Sequence, residues 1–264
     1  MFSCPTFQRV EFIDLLVNAP YYGHLLNVYG VLAFREIGIS EAQQNELCRR
    51  LGDFVSWVPN SNNPTPLKEP FYESFESELT NREIKKPLLT EFSMNVLDRN
   101  PSVGSVLNNR RSNQRAGSIL LADMRKVFNL ISTTERKEFI SKIVWLEVNT
   151  NVVRRMVEYH RNTNQKILLY NSAFEKGSET EKYRFFIDGK EINEEQRLLL
   201  SDIFKEINEI LFVCNLYVLE EWKWKEKDLL IIDDSCMMRA IKVKRTMRHG
   251  DYVGKHQICT AINP

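Results

Sequence analysis

The sequence predicts an α+β fold, a barrel or jelly roll of strands with helices packed outside it. Three observations carry this. Apolar runs of strand length crowd the last third of the chain, at Phe212 to Leu219, Asp228 to Ile232, Met237 to Val243 and His256 to Ile262. Helical periodicity is confined to a few stretches. Strands and helices do not alternate regularly, which argues against a parallel α/β sheet.

Tyr29-Gly30 closes a short helical stretch, and Val31-Leu32-Ala33-Phe34 after it reads as a buried strand from its unbroken apolar character. Ser40 with Gln43 three residues on is a capping-box signal. Leu47, Leu51 and Phe54 then fall on one helical face. Ser118 to Asp123 reads as a strand, followed by short helices from Met124 to Ile131 and from Thr134 to about Ile143. Asn193 is an N-cap for a long amphipathic helix through Leu199, Ile203, Ile207 and Ile210 or Leu211. Two stretches lack periodicity: Trp57 to Glu78, with Pro59, Pro64, Pro66 and Pro70, and Ser172 to Glu181. Both read as loops, each as much a surface segment as a lid over a site.

A chain of 264 residues suits one large domain, and 43% hydrophobic residues allow a sizeable core. The net charge of +1 gives no electrostatic reason to expect nucleic acid or an anionic membrane as a partner. The N-terminus shows no secretory signal, and no apolar run is long enough to span a membrane. The five cysteines (Cys4, Cys48, Cys214, Cys236 and Cys259) are scattered and odd in number, which suits reduced thiols in a cytoplasm.

Three segments, in order, resemble the TauD/TfdA (taurine dioxygenase-like) family. Tyr29 to Arg35, Ile39-Ser40 and Leu51 to Phe54 look like its opening unit. Asn100-Pro101 through Val106-Leu107, Ala116 to Met124 and Phe128 to Ser132 are similar to its central stretch. Trp222-Lys223-Trp224 followed by Asp228 to Asp234 resembles the strand that leads to its last iron ligand. The resemblance implies a double-stranded β-helix (jelly roll) core with flanking helices. It implies one domain over 1–264, with loop or lid insertions near 57–80 and 172–181. It also implies a jelly-roll oxygenase using Fe(II), dioxygen and 2-oxoglutarate.

The family's iron chemistry needs two imidazoles and one carboxylate on one face of the metal. By the resemblance, its His-x-Asp or His-x-Glu falls on Glu91-Phe92-Ser93, and no histidine lies between His24 and His160. Its distal histidine falls on Met238, or on Arg239 if no gap is allowed. Its 2-oxoglutarate arginine falls near Lys255 to Cys259, and no arginine follows Arg248. The ligand set therefore reads as degenerate, and no cofactor is expected. Fe(II) and 2-oxoglutarate enter only if this alignment is wrong, with His249, Asp251 and His256 as reserve metal candidates. Glu91 and Arg239 are the candidate catalytic residues, as acid or base and as carboxylate anchor. Ser93, Asn95, Ser118, Met238, Arg248, Lys255 and Cys259 are the candidate substrate-binding residues.

Other constellations weigh less. His249-Gly250-Asp251 reads first as a polar hairpin loop. Cys236 and Cys259 read as small hydrophobes, and Trp222 with Trp224 as core. Lys242, Lys244, Arg245, Arg248 and Lys255 make the C-terminal region basic, a solvated face or an anion site. Three functions stay open. The first is a biosynthetic small-molecule enzyme with metal-independent chemistry, on a substrate for which a carboxylate is one option. The second is an oxygenase with relocated ligands. The third is a non-catalytic partner protein in a homo- or hetero-oligomer.

Overall fold

The structure is a computed structural model. It describes residues 4–51, 53–55, 72–74, 88–89, 94, 104–108, 118–174, 182–212, 219–223, 225–243, 255–257 and 260–262. Two sheets form the core. In the first, the strand order is β1 (Thr6–Gln8), β2 (Val31–Arg35), β15 (Leu229–Ile232), β6 (Ser105–Asn108), β17 (Lys255–Gln257), β4 (Tyr72–Ser74). In the second it is β14 (Leu219–Lys223), β7 (Ser118–Asp123), β16 (Met237–Val243), β5 (Leu88–Leu89). Along the chain, β4, β6, β15 and β17 of the first sheet interleave with β5, β7, β14 and β16 of the second. That winding makes a double-stranded β-helix, and the jelly roll expected from the sequence is present.

The run Leu229-Leu230-Ile231-Ile232 is buried on both faces, so it cannot alternate apolar with polar. Leu230 and Ile232 join Val31, Ala33, Ile119 and Leu121 in the core between the sheets. Leu229 and Ile231 join Leu32, Phe34 and Val106 on the outer face. That outer face is covered by α1 (Phe12–Val17), α2 (Ala19–Tyr29) and α3 (Glu41–Leu51), through Leu15, Tyr22, Leu47 and Cys48. The predicted capping box closes α3: the Ser40 N–H donates to Gln43 Oε1 at 2.8 Å and the Gln43 N–H to Ser40 Oγ at 3.3 Å. Phe54 is not part of that helix but lies in β3 (Asp53–Val55), which pairs with β18 (Thr260–Ile262).

Between β7 and β14 the chain builds a helix-and-sheet layer. It contains α4 (Met124–Leu130), α5 (Thr134–Lys142), β8 (Val144–Glu147), β9 (Val152–Arg155), β10 (Val157–Tyr159), β11 (Lys166–Leu168), β12 (Tyr183–Ile187), β13 (Lys190–Glu191) and α6 (Glu194–Phe212). Trp145, Tyr170, Phe174, Tyr183 and Phe204 pack edge-on or tilted at its centre, with ring centroids 4.8–6.0 Å apart. Asn193 caps α6 as expected, in a reciprocal pair with Gln196 at 2.9 Å each way. Two boundaries shift. Leu199 is exposed on α6, and the buried stripe runs instead through Leu200, Ile203, Phe204 and Ile207. Of the apolar run from Phe212 to Leu219, Phe212 ends the helix, Leu219 opens a strand, and 213–218 lie outside the described residues.

Most of the first expected loop lies outside the described residues, although Tyr72–Ser74 forms β4. In the second, Ser172–Phe174 is a 3-10 turn that buries Phe174, and 175–181 lie outside. Among the described residues no helix is long and apolar enough to cross a membrane. Cys4 and Cys236 are buried and take no part in a disulfide. Cys48 is disulfide-bonded, where the sequence favoured reduced thiols over a disulfide framework.

Candidate active site at the barrel mouth

β15 leads into a tight turn, Asp233-Asp234-Ser235-Cys236, and the chain re-enters the second sheet as β16. This turn is held from three sides. The Asp233 N–H donates to the Gly30 carbonyl at 2.8 Å, and the Met237 N–H returns to the Asp233 carbonyl at 3.0 Å. Asp233 Oδ1 accepts the Ser235 N–H at 3.0 Å and the Ser235 hydroxyl. Asp233 Oδ2 lies 2.8 Å from Nε2 of His160, a buried residue at the end of β10. On the far side of that ring, Nδ1 accepts the Thr163 N–H at 3.2 Å. The ring hydrogen therefore sits on Nε2 and is donated to Asp233.

A second buried pair lies beneath. Asp123 caps α4, and Arg125 grips its carboxylate with Nε and Nη2 at 2.9 and 3.0 Å. The same guanidinium reaches the carbonyls of Asn27 at 2.6 Å and Val28 at 3.2 Å, which locks the end of α2. Gly30 ends α2 at φ +77°, and a Cβ there would stand 2.6 Å from Met237 Sδ. Only glycine meets both demands.

His160, Asp233 and Cys236 bring three metal-type ligand atoms within 4.8 Å, all buried. Their chemistry does not make a cation cage. The Nε2 lone pair is used as N–H toward Asp233. Burial, and then the Asp233 charge, push the Cys236 thiol well above its ordinary range, so it stays protonated. The trio is a closed latch on the turn.

Arg239 marks the inner face of the barrel. Arg35 of the first sheet stacks on Trp222 of the second, 3.6 Å above its ring, and donates to the Lys223 carbonyl at 3.2 Å. Trp222 therefore faces the first sheet. It pairs across from Ile119, and Arg239 pairs across from Leu121, two residues along the same strand. Alternation puts Leu121 and Arg239 on that same inner side. Arg239 keeps 18% of its side chain exposed and stands 3.8 Å from buried Asp234. Met238 pairs with Ala122 on the opposite side and is fully buried. Arg35 also pairs with Asp228. Burial raises the Asp228 carboxyl above its ordinary value despite that partner.

Of the other predicted site residues, Ser118, Lys255 and His256 have a described backbone only: Ser118 pairs with Lys242, Lys255 with Asn108 and His256 with Leu107. Glu91, Ser93, Asn95, Arg248, His249, Asp251 and Cys259 lie outside the described residues, although Met94 between two of them is buried in the main core. The sequence reading missed His160, Asp123, Arg125 and Asp233. The one available signal was His160 placed three residues before Thr163, a spacing that lets a backbone N–H reach the ring.

The model of the taurine catabolism dioxygenase TauD, TfdA family matches residues 17–238. The chain belongs to that family. No curated protein matches the sequence. Among solved structures, this TauD/TfdA chain is similar to AAD-2 in complex with Mn(II) and N-oxalylglycine, at 16% identity, TM-score 0.65, covering 100% of this chain and 96% of that one. It is similar to PvcB, described as an Fe, alpha-ketoglutarate dependent oxygenase from an isonitrile synthetic pathway, at 14% identity, TM-score 0.66 and coverages of 98% and 87%. A putative alpha-ketoglutarate-dependent taurine dioxygenase from Burkholderia xenovorans follows at 12% identity, TM-score 0.67 and coverages of 99% and 88%.

These findings overturn the expectation that no cofactor is involved. The family is one of dioxygenases, and its solved neighbours hold or are named for a divalent metal and a 2-oxo acid or its analogue. Ferrous iron and 2-oxoglutarate are thus what the TauD/TfdA fold implies. Arg239, one of the two residues that the resemblance sets against the distal histidine, presents a guanidinium with donors only and no lone pair for a metal.

Proposed function

We propose that this TauD/TfdA protein acts on a small carboxylate-bearing molecule at the mouth of its single-domain barrel, in a biosynthetic pathway, through an altered ligand set. The observation that carries the reading is Arg239 on the inner face at the start of β16, half-buried and next to buried Asp234. A guanidinium there clasps a carboxylate with two parallel bonds, and partial burial strengthens them relative to water. Asp234 limits the swing of the guanidinium, and the His160–Asp233 latch holds the turn from which Arg239 projects. Glu91 serves in this reading as the acid or base. The biosynthetic setting is supported by the likeness to PvcB.

The family match favours a second reading for the metal. Fe(II), when bound, supplies activation of dioxygen, and His249, Asp251 and His256 are the donors to test. The experiment is to incubate the purified protein with Fe(II), 2-oxoglutarate, dioxygen and a panel of amino and hydroxy acids, following succinate release and acid consumption. Consumption that disappears in Arg239→Met supports the anchor. Consumption unchanged in Arg239→Met removes it. Stoichiometric iron that is lost in His249→Ala or His256→Ala establishes the second reading, and iron binding that survives both rejects it.

A further inference from the structure

We propose that the outer face of α1 and α2 is a homodimer interface, on which two copies of this chain pack helix to helix, antiparallel, about a two-fold axis at Tyr21. The inference is independent of the substrate reading above.

α1 and α2 are nearly continuous. The Asn18 N–H donates to the Asp14 carbonyl at 2.9 Å and the Tyr22 N–H to the Asn18 carbonyl at 3.1 Å, so helical bonds cross the junction. Pro20, in the first turn of α2, has no N–H to give, which accounts for the break at Asn18. The inner face packs on the barrel through Leu15, Tyr22 and Leu26. The outer face is also apolar. Ile13, Val17, Tyr21, His24 and Val28 follow one another at gaps of four, four, three and four residues, which makes one helical stripe. The four apolar members are 49–73% exposed, and His24 is exposed with them. Single exposed apolar residues need no explanation, but bulky ones aligned along a helix mark an association surface.

Charge decides what covers it. Between Arg9 and Arg35 the sequence holds no lysine or arginine. A helix that lies on a lipid surface carries such residues on its polar face, so a membrane is a poor match. A second copy is a good one. Glu11 and Asp14 are exposed at the start of the stripe. At its far end, Asn162 Nδ2 donates to Asn27 Oδ1 at 2.8 Å, which brings exposed Arg161 beside the end of α2. The stripe is therefore acidic at one end and basic at the other. Antiparallel packing sets each end against its opposite, twice over by symmetry. Parallel packing would set like charges together.

In the antiparallel register Ile13 meets the partner's Val28, Val17 meets the partner's His24, and Tyr21 meets its own copy. His24 is the one polar member, and a polar residue in such a seam fixes register at a cost in stability. A single stripe makes a small interface, so the dimer forms with rising concentration rather than obligately.

The test is analytical ultracentrifugation of the full-length protein over a wide concentration series. The expected result is a monomer–dimer equilibrium that Tyr21→Glu weakens by about ten-fold or more, because it sets two like charges at the axis. The substituted position is exposed, so circular dichroism and the melting temperature stay those of wild type. Register is read by mixing Ile13→Cys and Val28→Cys proteins, adding a short bis-maleimide and mapping the peptides. The expected product links position 13 of one copy to position 28 of the other. A wild type that stays monomeric throughout, a dimer untouched by Tyr21→Glu, or failure to link position 13 to position 28 overturns the proposal. So does a monomer that co-sediments with phosphatidylcholine vesicles, which gives the face to a membrane. The ultracentrifugation of wild type needs no variant to fold.

Discussion

Two residues outside the turn after β15, His160 and Gly30, hold it in place. His160 gives its Nε2 hydrogen to Asp233, and that carboxylate has no solvent to replace it. His160→Ala removes a hydrogen bond to a charged group, a loss of about 1.5–3 kcal/mol. Chemical denaturation of the purified variant measures it, and a change near zero would mean that water substitutes for the ring. Gly30 faces a different demand, a left-handed backbone packed against Met237 and Arg125. Gly30→Ala costs about 1–3 kcal/mol from backbone strain alone, and the contact with Met237 adds to it. A lowered melting temperature checks this. The sequence set Met238 or Arg239 against the family's distal histidine. The choice between Met238 and Arg239 was not legible there, because it depends on which side of β16 faces the first sheet. Only the stacking of Arg35 on Trp222 settles that side.

At the scale of elements, caps and helix starts were the most legible features. Ser40 with Gln43 and Asn193 with Gln196 both form their reciprocal bonds. These depend on neighbours three residues apart, so the sequence contains the whole interaction. The strands of the outer layer, from β8 to β13, were not read from the sequence. They are short and carry charged residues on exposed faces, so their pattern is weak. Long-range clamps were equally hidden. Glu206 of α6 pairs with Arg136 of α5 and accepts the Ser132 N–H, across 70 and 74 residues. Burial raises its carboxyl, but these bonds outweigh burial and leave its pKa below the ordinary value. A depressed carboxyl stabilises the fold above its unfolded pKa, about 4.3. That contribution is lost as pH falls through the still lower folded value. Melting curves from pH 7 down to about 3 should therefore fall more steeply for wild type than for Glu206→Gln. Parallel curves would show that the clamp is electrostatically silent.

At the scale of the molecule, the barrel was legible because β2, β7 and β15 are apolar on both faces and follow a family order. β15 reads as one unbroken apolar run because helices cover one side and the second sheet the other. Leu121 is completely buried between the sheets. Leu121→Ala should cost about 2–5 kcal/mol, measurable by urea unfolding, without changing the fold seen by circular dichroism. The chemistry at the mouth was less legible, because it depends on residues brought together from opposite ends of the chain. The sequence offered Met238 or Arg239 at the head of β16 but not the His160–Asp233 latch beside them. The central claim is that a guanidinium on the inner face now anchors a carboxylate. Calorimetric titration of N-oxalylglycine, in the presence of Mn(II), tests it most directly. The account predicts saturable binding by wild type and a loss of about ten-fold or more in Arg239→Met, the weight of one charged hydrogen-bonded pair. Equal affinity in the two proteins, or no binding to wild type, would contradict it.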